Sequence, residues 1–233
     1  MTCMSDSRVA TVFRIFGGTA AGYDAFVDRA TLGLDSRWKR EILSRLVEPR
    51  RVADLASGTG IVTFAIARRW ADSRITCVEL QHEYLELARG RAVDLGLADR
   101  VRFECERAEE VALEPGAYDH VVTSYLPKYA DLGRLAGKLR AWLAPGGRVI
   151  LHDFTFPTDT RVREGWEETF RRLLAEAEAE HSIWTPMLRE LPGIIRRSDW
   201  VAESCREMKR CGFREISVNP LSMGCAAIVT AVA

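Results

Sequence analysis

From residue 51 onward, short apolar runs alternate with amphipathic stretches. Segments 51–55, 75–79, 120–124 and 148–154 carry runs of Val, Ile, Leu and Ala with polar residues at their ends, the pattern of strands buried on both faces, and 101–105 reads as a further strand. Between them, 61–70, 84–95 and 132–143 carry helical periodicity, and Glu114-Pro115-Gly116 and Ala144-Pro145-Gly146-Gly147 read as turns. Strands and helices alternating at this spacing predict a parallel sheet with helices on both faces, a Rossmann-like α/β fold. Two closing strands are expected at 214–219 and 225–232, after a helix that ends over 205–211 before Gly212.

Two stretches depart from that rhythm. Residues 7–46 read as helical but irregular, interrupted by Gly17, Gly18, Gly22 and Gly33, with Trp38-Lys39-Arg40 opening an amphipathic segment. Residues 157–200 hold a charged helix over 163–181, whose Glu176, Glu178 and Glu180 read as a solvated face in preference to a metal site. No internal repeat or low-complexity segment occurs.

Composition narrows the partners. A chain of 233 residues suits one substantial α/β domain, and 33 basic against 33 acidic residues build no field for a phosphate backbone, so nucleic acid is not expected and a small molecule is. The six cysteines are scattered, with no CxxC pair and no histidine cluster beside them, so no metal is expected. They read as reduced thiols of a cytoplasmic protein without a signal peptide. No apolar stretch approaches the ~20 residues of a membrane helix, which leaves peripheral membrane contact at most. The oligomeric state stays open, a homodimer included.

The chemistry concentrates at Asp54-Leu55-Ala56-Ser57-Gly58-Thr59-Gly60, where a buried strand turns into a helix and small residues let the backbone approach a ligand. Glu79 ends the second strand, placed to accept hydrogen bonds from two ribose hydroxyls. A dinucleotide fingerprint is the rival, since Gly58-Thr59-Gly60-Ile61-Val62-Thr63 nearly spells GxGxxG. Thr63 stands where the third glycine would let the helix close on a pyrophosphate. A ligand without phosphate, S-adenosylmethionine, needs no such approach, and Asp54 can meet its ammonium group or order the loop.

These residues resemble class I methyltransferases, and more narrowly the ubiquinone/menaquinone biosynthesis C-methyltransferase family. The likeness runs through Tyr23-Asp24, Asp28, Gly33 and Trp38-Lys39-Arg40, the family-specific part, and continues through the glycine loop, Glu79, Ala108-Glu109-Glu110, Ser124, Pro145-Gly146-Gly147 and Gly212-Phe213. It implies a seven-stranded mixed sheet with the last strand antiparallel, in a single methyltransferase domain 1–233 with a helical cap at 1–48 and a substrate-side insertion at 156–202. It also implies S-adenosylmethionine as cofactor, bound by Tyr23, Asp54, Ser57, Gly58, Thr59, Gly60, Glu79, Arg107, Ala108 and Ser124. Thr59 would serve the methionine portion, Glu79 the ribose, Arg107-Ala108 the adenine and Ser124 the methyl-donor end. Tyr23 either closes over the cofactor or is a core aromatic.

The chain departs from the family at Val27, where Asn is usual, at Glu79, where Asp is usual, and at Arg107, where an Asp or Asn acceptor is usual. Lys128 aligns with a family arginine, next to Pro127. Segment 156–202 matches poorly, and it covers the acceptor pocket in this architecture. The expected reaction is methyl transfer to a small hydrophobic aromatic, a quinol or phenolic precursor methylated at carbon, with O-, N- or S-methylation of a secondary metabolite and a non-catalytic cofactor-binding scaffold as the alternatives. Lys128, as a phenolate stabiliser, and His152 or Asp153, as a base beyond the fifth strand, are the catalytic candidates. His181 is a further candidate to face the pocket, and Trp166, Phe170, Trp184 and Met187 are candidates to line it.

Overall fold

In the computed structural model, which describes residues 7–233, the strands fall at β1 (Arg51–Leu55), β2 (Arg74–Glu79), β3 (Val101–Cys105), β4 (Tyr118–Ser124), β5 (Leu143–Phe154), β6 (Arg214–Leu221) and β7 (Ala226–Val232). The helices are α1 (Ser7–Phe16), α2 (Tyr23–Ala30), α3 (Leu34–Leu43), α4 (Ile61–Arg69), α5 (His82–Asp94), α6 (Leu132–Trp142), α7 (Thr160–Ala179), α8 (Thr185–Arg197) and α9 (Trp200–Arg210).

One seven-stranded sheet runs in the order β3-β2-β1-β4-β5-β7-β6. All its pairings are parallel except those of β7, which lies antiparallel to both β5 and β6. The central strands are buried almost end to end, as continuous apolar runs in a sheet covered on both faces must be. One face packs Val121, Leu135, Leu139, Trp142 and Met208 under α6 and α9. The other packs Val52, Ile75, Ile42, Ile66 and Leu85 under α3, α4 and α5.

Strand order reverses between β1 and β4, and a crevice opens there beyond the carboxyl ends of the strands. Above it stands a helical cap of α1, α2, α7 and α8, with a core of its own around Ile15, Trp166, Met187, Leu191 and Ile195. The charged helix starts earlier than its periodicity suggests, because Asp159 caps it by accepting from the Val162 amide (3.0 Å). It also ends earlier. His181 therefore lies beyond it, exposed and at φ 50, and does not face the crevice.

Helix α8 is the element that periodicity alone passed over, since Pro192-Gly193 reads as a break. Its buried stripe of Met187, Leu188, Leu191 and Ile195 outweighs the lost proline hydrogen bond. Segment 156–202 also runs into α9, which belongs to the sheet's own helical layer.

Glu176 and Glu178 pair with Arg29 and Arg189 at the exposed edge of the cap. Among the described residues no group of three or more His, Cys, Asp or Glu could hold a metal ion. Five cysteines are free thiols, and Cys3 lies outside the described residues. No described helix is long and apolar enough to cross a membrane.

Candidate functional site

The loop after β1 is built from left-handed backbone: Ala56, Gly58 and Gly60 have φ of 53°, 55° and 85°. Gly60 is the residue before α4, and a Cβ there would stand 2.4 Å from the Phe64 ring, so only glycine fits. At Gly58 a Cβ would meet nothing nearer than Tyr84, at 3.9 Å, so this glycine keeps an open cleft open.

Three carboxylates brace the loop. Glu79 accepts from the amides of Gly58 and Gln81, both at 2.9 Å; burial pushes its pKa up while those N–H groups oppose the rise. Asp24 accepts from the Thr59 hydroxyl (2.6 Å) and pairs with Arg91 (2.7 Å), tying α2 and α5 to the loop. Asp54 is buried, which lifts its pKa to about 6 against the opposing hydrogen bond from Thr63. That Thr63 bond, at 2.7 Å, explains the missing third glycine: its hydroxyl orients Asp54.

Three small adjoining hollows follow this loop across the strand ends. The first, about 40 Å³, has Lys39, Asp54, Ser57, Gly58, Thr59 and Ser124 in its walls. The second, about 110 Å³, lies between Gly58, Glu79 and Tyr84 on one side and Val12 and Phe16 of α1 on the other. The third, about 50 Å³, reaches Leu80, Arg107 and Ala108. Arg107 is drawn onto Glu109 (3.0 Å), whose other oxygen accepts from the Asp131 amide (2.8 Å). Nine of the ten residues expected around the ligand thus line these hollows. The tenth, Gly60, shapes the turn beneath them.

Beside them lies a larger cavity of about 350 Å³ under the cap. Its walls are apolar and aromatic, including Phe26, Trp38, Phe154, Trp166, Phe170 and Met187. Trp184 is not among them; it stacks behind, on Phe26, with ring centroids 4.1 Å apart. Among the described residues Lys128 is the one charged residue in the lining, and no carboxylate shares it. Its ammonium is 2.7 Å from Asp153, donates to the Tyr125 carbonyl (2.9 Å) and lies 4.4 Å from the Tyr129 ring centroid. Burial pulls the Lys128 pKa down and pushes that of Asp153 up, and their mutual attraction opposes both shifts. Asp153 is fully enclosed and also accepts from the amides of Lys128 and Phe154.

His152 is fully buried and lines neither the hollows nor the cavity. Its Nδ1 is 2.8 Å from the Ser124 hydroxyl, and its Nε2 has no hydrogen-bond partner. Burial, with Lys39 and Lys128 nearby, holds its pKa well below the ordinary histidine range, so the ring is neutral. Of the three catalytic candidates, only Lys128, the expected phenolate stabiliser, lines the cavity; His152 and Asp153, the candidate bases, each touch a residue that lines a cavity or hollow.

Tyr23 and Tyr125 line the large cavity and two of the hollows, and so stand at their junction. Tyr129 does likewise, with a buried hydroxyl that has no partner. Burial raises the pKa of all three phenols well above the ordinary value. Tyr125 is held at φ 71, its hydroxyl donating to Asp35 (2.6 Å).

Sequence reasoning missed Asp35, Lys39, Tyr125 and Tyr129 as site residues. For the first two a signal existed. Asp35, Trp38, Lys39 and Ile42 form the buried stripe of α3, so two charges four residues apart sit on an apolar face. They pair at 3.2 Å, and Lys39 donates to the Ser124 hydroxyl at 2.5 Å.

Residues 52–147 match the methyltransferase domain family. The chain is 29% identical to the demethylmenaquinone methyltransferase of Thermus thermophilus, over 69% of this chain and 73% of that protein. It is 27% identical to the ubiquinone/menaquinone biosynthesis C-methyltransferase of Psychromonas ingrahamii, over 67% of this chain and 64% of that protein, just under two thirds of its length. Among solved structures, a geranyl diphosphate methyltransferase in complex with S-adenosylmethionine superposes with a TM-score of 0.62 at 15% identity, covering 85% of each chain, a likeness of fold.

Proposed function

Because the chain is a class I S-adenosylmethionine-dependent methyltransferase that resembles the ubiquinone/menaquinone biosynthesis C-methyltransferases, we propose that it methylates a small hydrophobic aromatic bearing a hydroxyl, at a ring carbon next to that hydroxyl. The observation that carries this reading is the aromatic cavity whose single charged lining residue, among the described residues, is Lys128. A cationic amine would meet an ammonium there and no carboxylate. A phenol or quinol finds apolar walls for its ring and a cation for its oxygen.

The residues present fit the cofactor. Ser57 has a buried hydroxyl without a partner beside a glycine cradle, and the first hollow sets one buried cation, Lys39, opposite one buried anion, Asp54. That pair of charges suits the zwitterionic amino-acid end, with Asp54 at the ammonium and Lys39 at the carboxylate. Glu79 would take the ribose hydroxyls. Arg107 is turned to Glu109, which leaves the adenine to the Ala108 backbone and the apolar side of Leu80.

When bound, the cofactor supplies an activated methyl group on a sulfonium sulfur. The protein's part is then to hold the acceptor in line and keep water out, an effect of up to about 7–11 kcal/mol. Tyr23, Tyr125 and Tyr129 frame the passage between hollows and cavity, and as neutral phenols they donate hydrogen bonds without competing as nucleophiles. Lys128, kept close by Asp153, stabilises the oxygen of an acceptor that enters as its phenolate, its proton left in bulk water. Electron density moves onto the neighbouring carbon, which takes the methyl. The resulting dienone returns to the phenol by moving the ring-carbon proton to the oxygen through water once released.

Incubation with labelled cofactor and a panel of quinols, phenols and amines tests the proposal. Label is expected on the ring carbon of a phenol or quinol, and transfer to an amine alone would refute it.

A further inference from the structure

We propose that His152 is a positioning residue for the cofactor's amino-acid end, acting through Ser124 on Lys39; this rests on the reading of Lys39 as the partner of the cofactor carboxylate. The direction of the chain follows from donor counting. An ammonium only donates, so the Ser124 oxygen accepts from Lys39 (2.5 Å) and its own proton goes to the acceptor within reach, His152 Nδ1 (2.8 Å).

The imidazole is therefore the Nε2–H tautomer. Its one cost is the unpartnered Nε2–H, enclosed beside Trp38 and Tyr125, with ring centroids 5.6 and 5.1 Å away. The opposite tautomer would strand two groups, the serine proton and the Nε2 lone pair. An imidazolium would strand the serine proton as well and add a charge between two lysines. With one lysine N–H on Ser124 and another on Asp35, the third is left for the hollow that holds Asp54 and the glycine loop. His152 thus sets the serine rotor, the serine sets the lysine, and the lysine is preorganised for an anion before the cofactor arrives.

Calorimetry with S-adenosylhomocysteine, together with nitrogen-15 NMR of histidine-labelled protein, tests this. At pH 7 His152 should show an unprotonated Nδ1 and a protonated Nε2; an Nδ1–H tautomer or an imidazolium would overturn the chain's direction. His152→Leu should weaken binding about tenfold, while His152→Asn, whose amide oxygen falls near the Nδ1 position, should stay within about threefold of wild type. Equal losses in both would leave His152 a packing residue only and end the proposal. Ser124→Ala and His152→Leu should be non-additive, the double variant losing less affinity than the product of the two single losses; simple additivity would mean that the two side chains act independently and would end the relay. Lys39→Met separates this idea from the reading beneath it. If Lys39→Met weakens binding and His152→Leu does not, the relay is wrong and the Lys39 reading stands; if Lys39→Met binds as wild type, both fall.

Discussion

Asp54 is a buried carboxylate whose desolvation costs the fold stability at neutral pH. Its pKa is about 6 in the folded protein against 3.8 as its ordinary value, so the native state holds the proton more tightly than the unfolded chain does. The stabilisation is complete below the unfolded value and is lost as pH rises through about 6, a swing on the order of 3 kcal/mol. Asp54→Asn keeps an oxygen for Thr63 but cannot ionise. In urea titrations without cofactor, the variant should therefore gain on the wild type between about pH 4 and 6, with the difference levelling off above about 6, while cofactor affinity falls. A flat difference would mean that the carboxylate is not desolvated. Asp54 was legible in the sequence because a carboxylate ending a buried strand before a glycine turn has few structural uses. Lys39 was legible only as a charge on the apolar face of α3; its partner Ser124, 85 positions away along the chain, was not.

At the scale of elements, the β1 turn separates two kinds of glycine. Gly60→Ala puts a methyl into Phe64 as well as forcing a side chain to φ 85, and should cost more than about 2 kcal/mol in thermal or urea unfolding. Gly58→Ala meets no neighbour and should cost only about 1–2 kcal/mol from its left-handed backbone. Its methyl projects beside the cleft, so it should lose more cofactor affinity than stability; equal effects of the two variants on both measurements would refute the distinction. Strands β1 and β3 were predictable to the residue, β1 as a buried apolar run that ends in a glycine turn and β3 as a short Val-Phe alternation at the edge of the sheet. Helix α8 was hidden by Pro192-Gly193, and its stripe acquires meaning only against α1 and α7. Trp166→Ala in α7 should enlarge the acceptor cavity, raising KM for a bulky phenol severalfold and leaving the cofactor Kd unchanged; a matching change in Kd would place Trp166 in the cofactor cleft instead.

Across the whole molecule, the Lys128–Asp153 pair joins the end of the sheet to the cap's cavity. Lys128→Met strands a fully enclosed carboxylate and should destabilise by about 3–5 kcal/mol in urea unfolding. Lys128→Met with Asp153→Asn removes both charges and should recover most of that loss without recovering methyl transfer. Recovery of transfer would show that the ammonium has no part in the reaction.

The order of strands and helices, the glycine turn after β1 and the acidic residue that ends β2 were determined by the sequence alone, because each depends on neighbours within a few positions. Only the tertiary structure decided which charges share a cavity. It placed Lys128 in the lining of the large cavity under the cap and His152 behind Ser124, and it brought Asp35 and Lys39 from α3 to the end of β4. Burial and electrostatic partnership arise between segments far apart in the chain, and no local pattern of polar and apolar residues encodes which of them will meet.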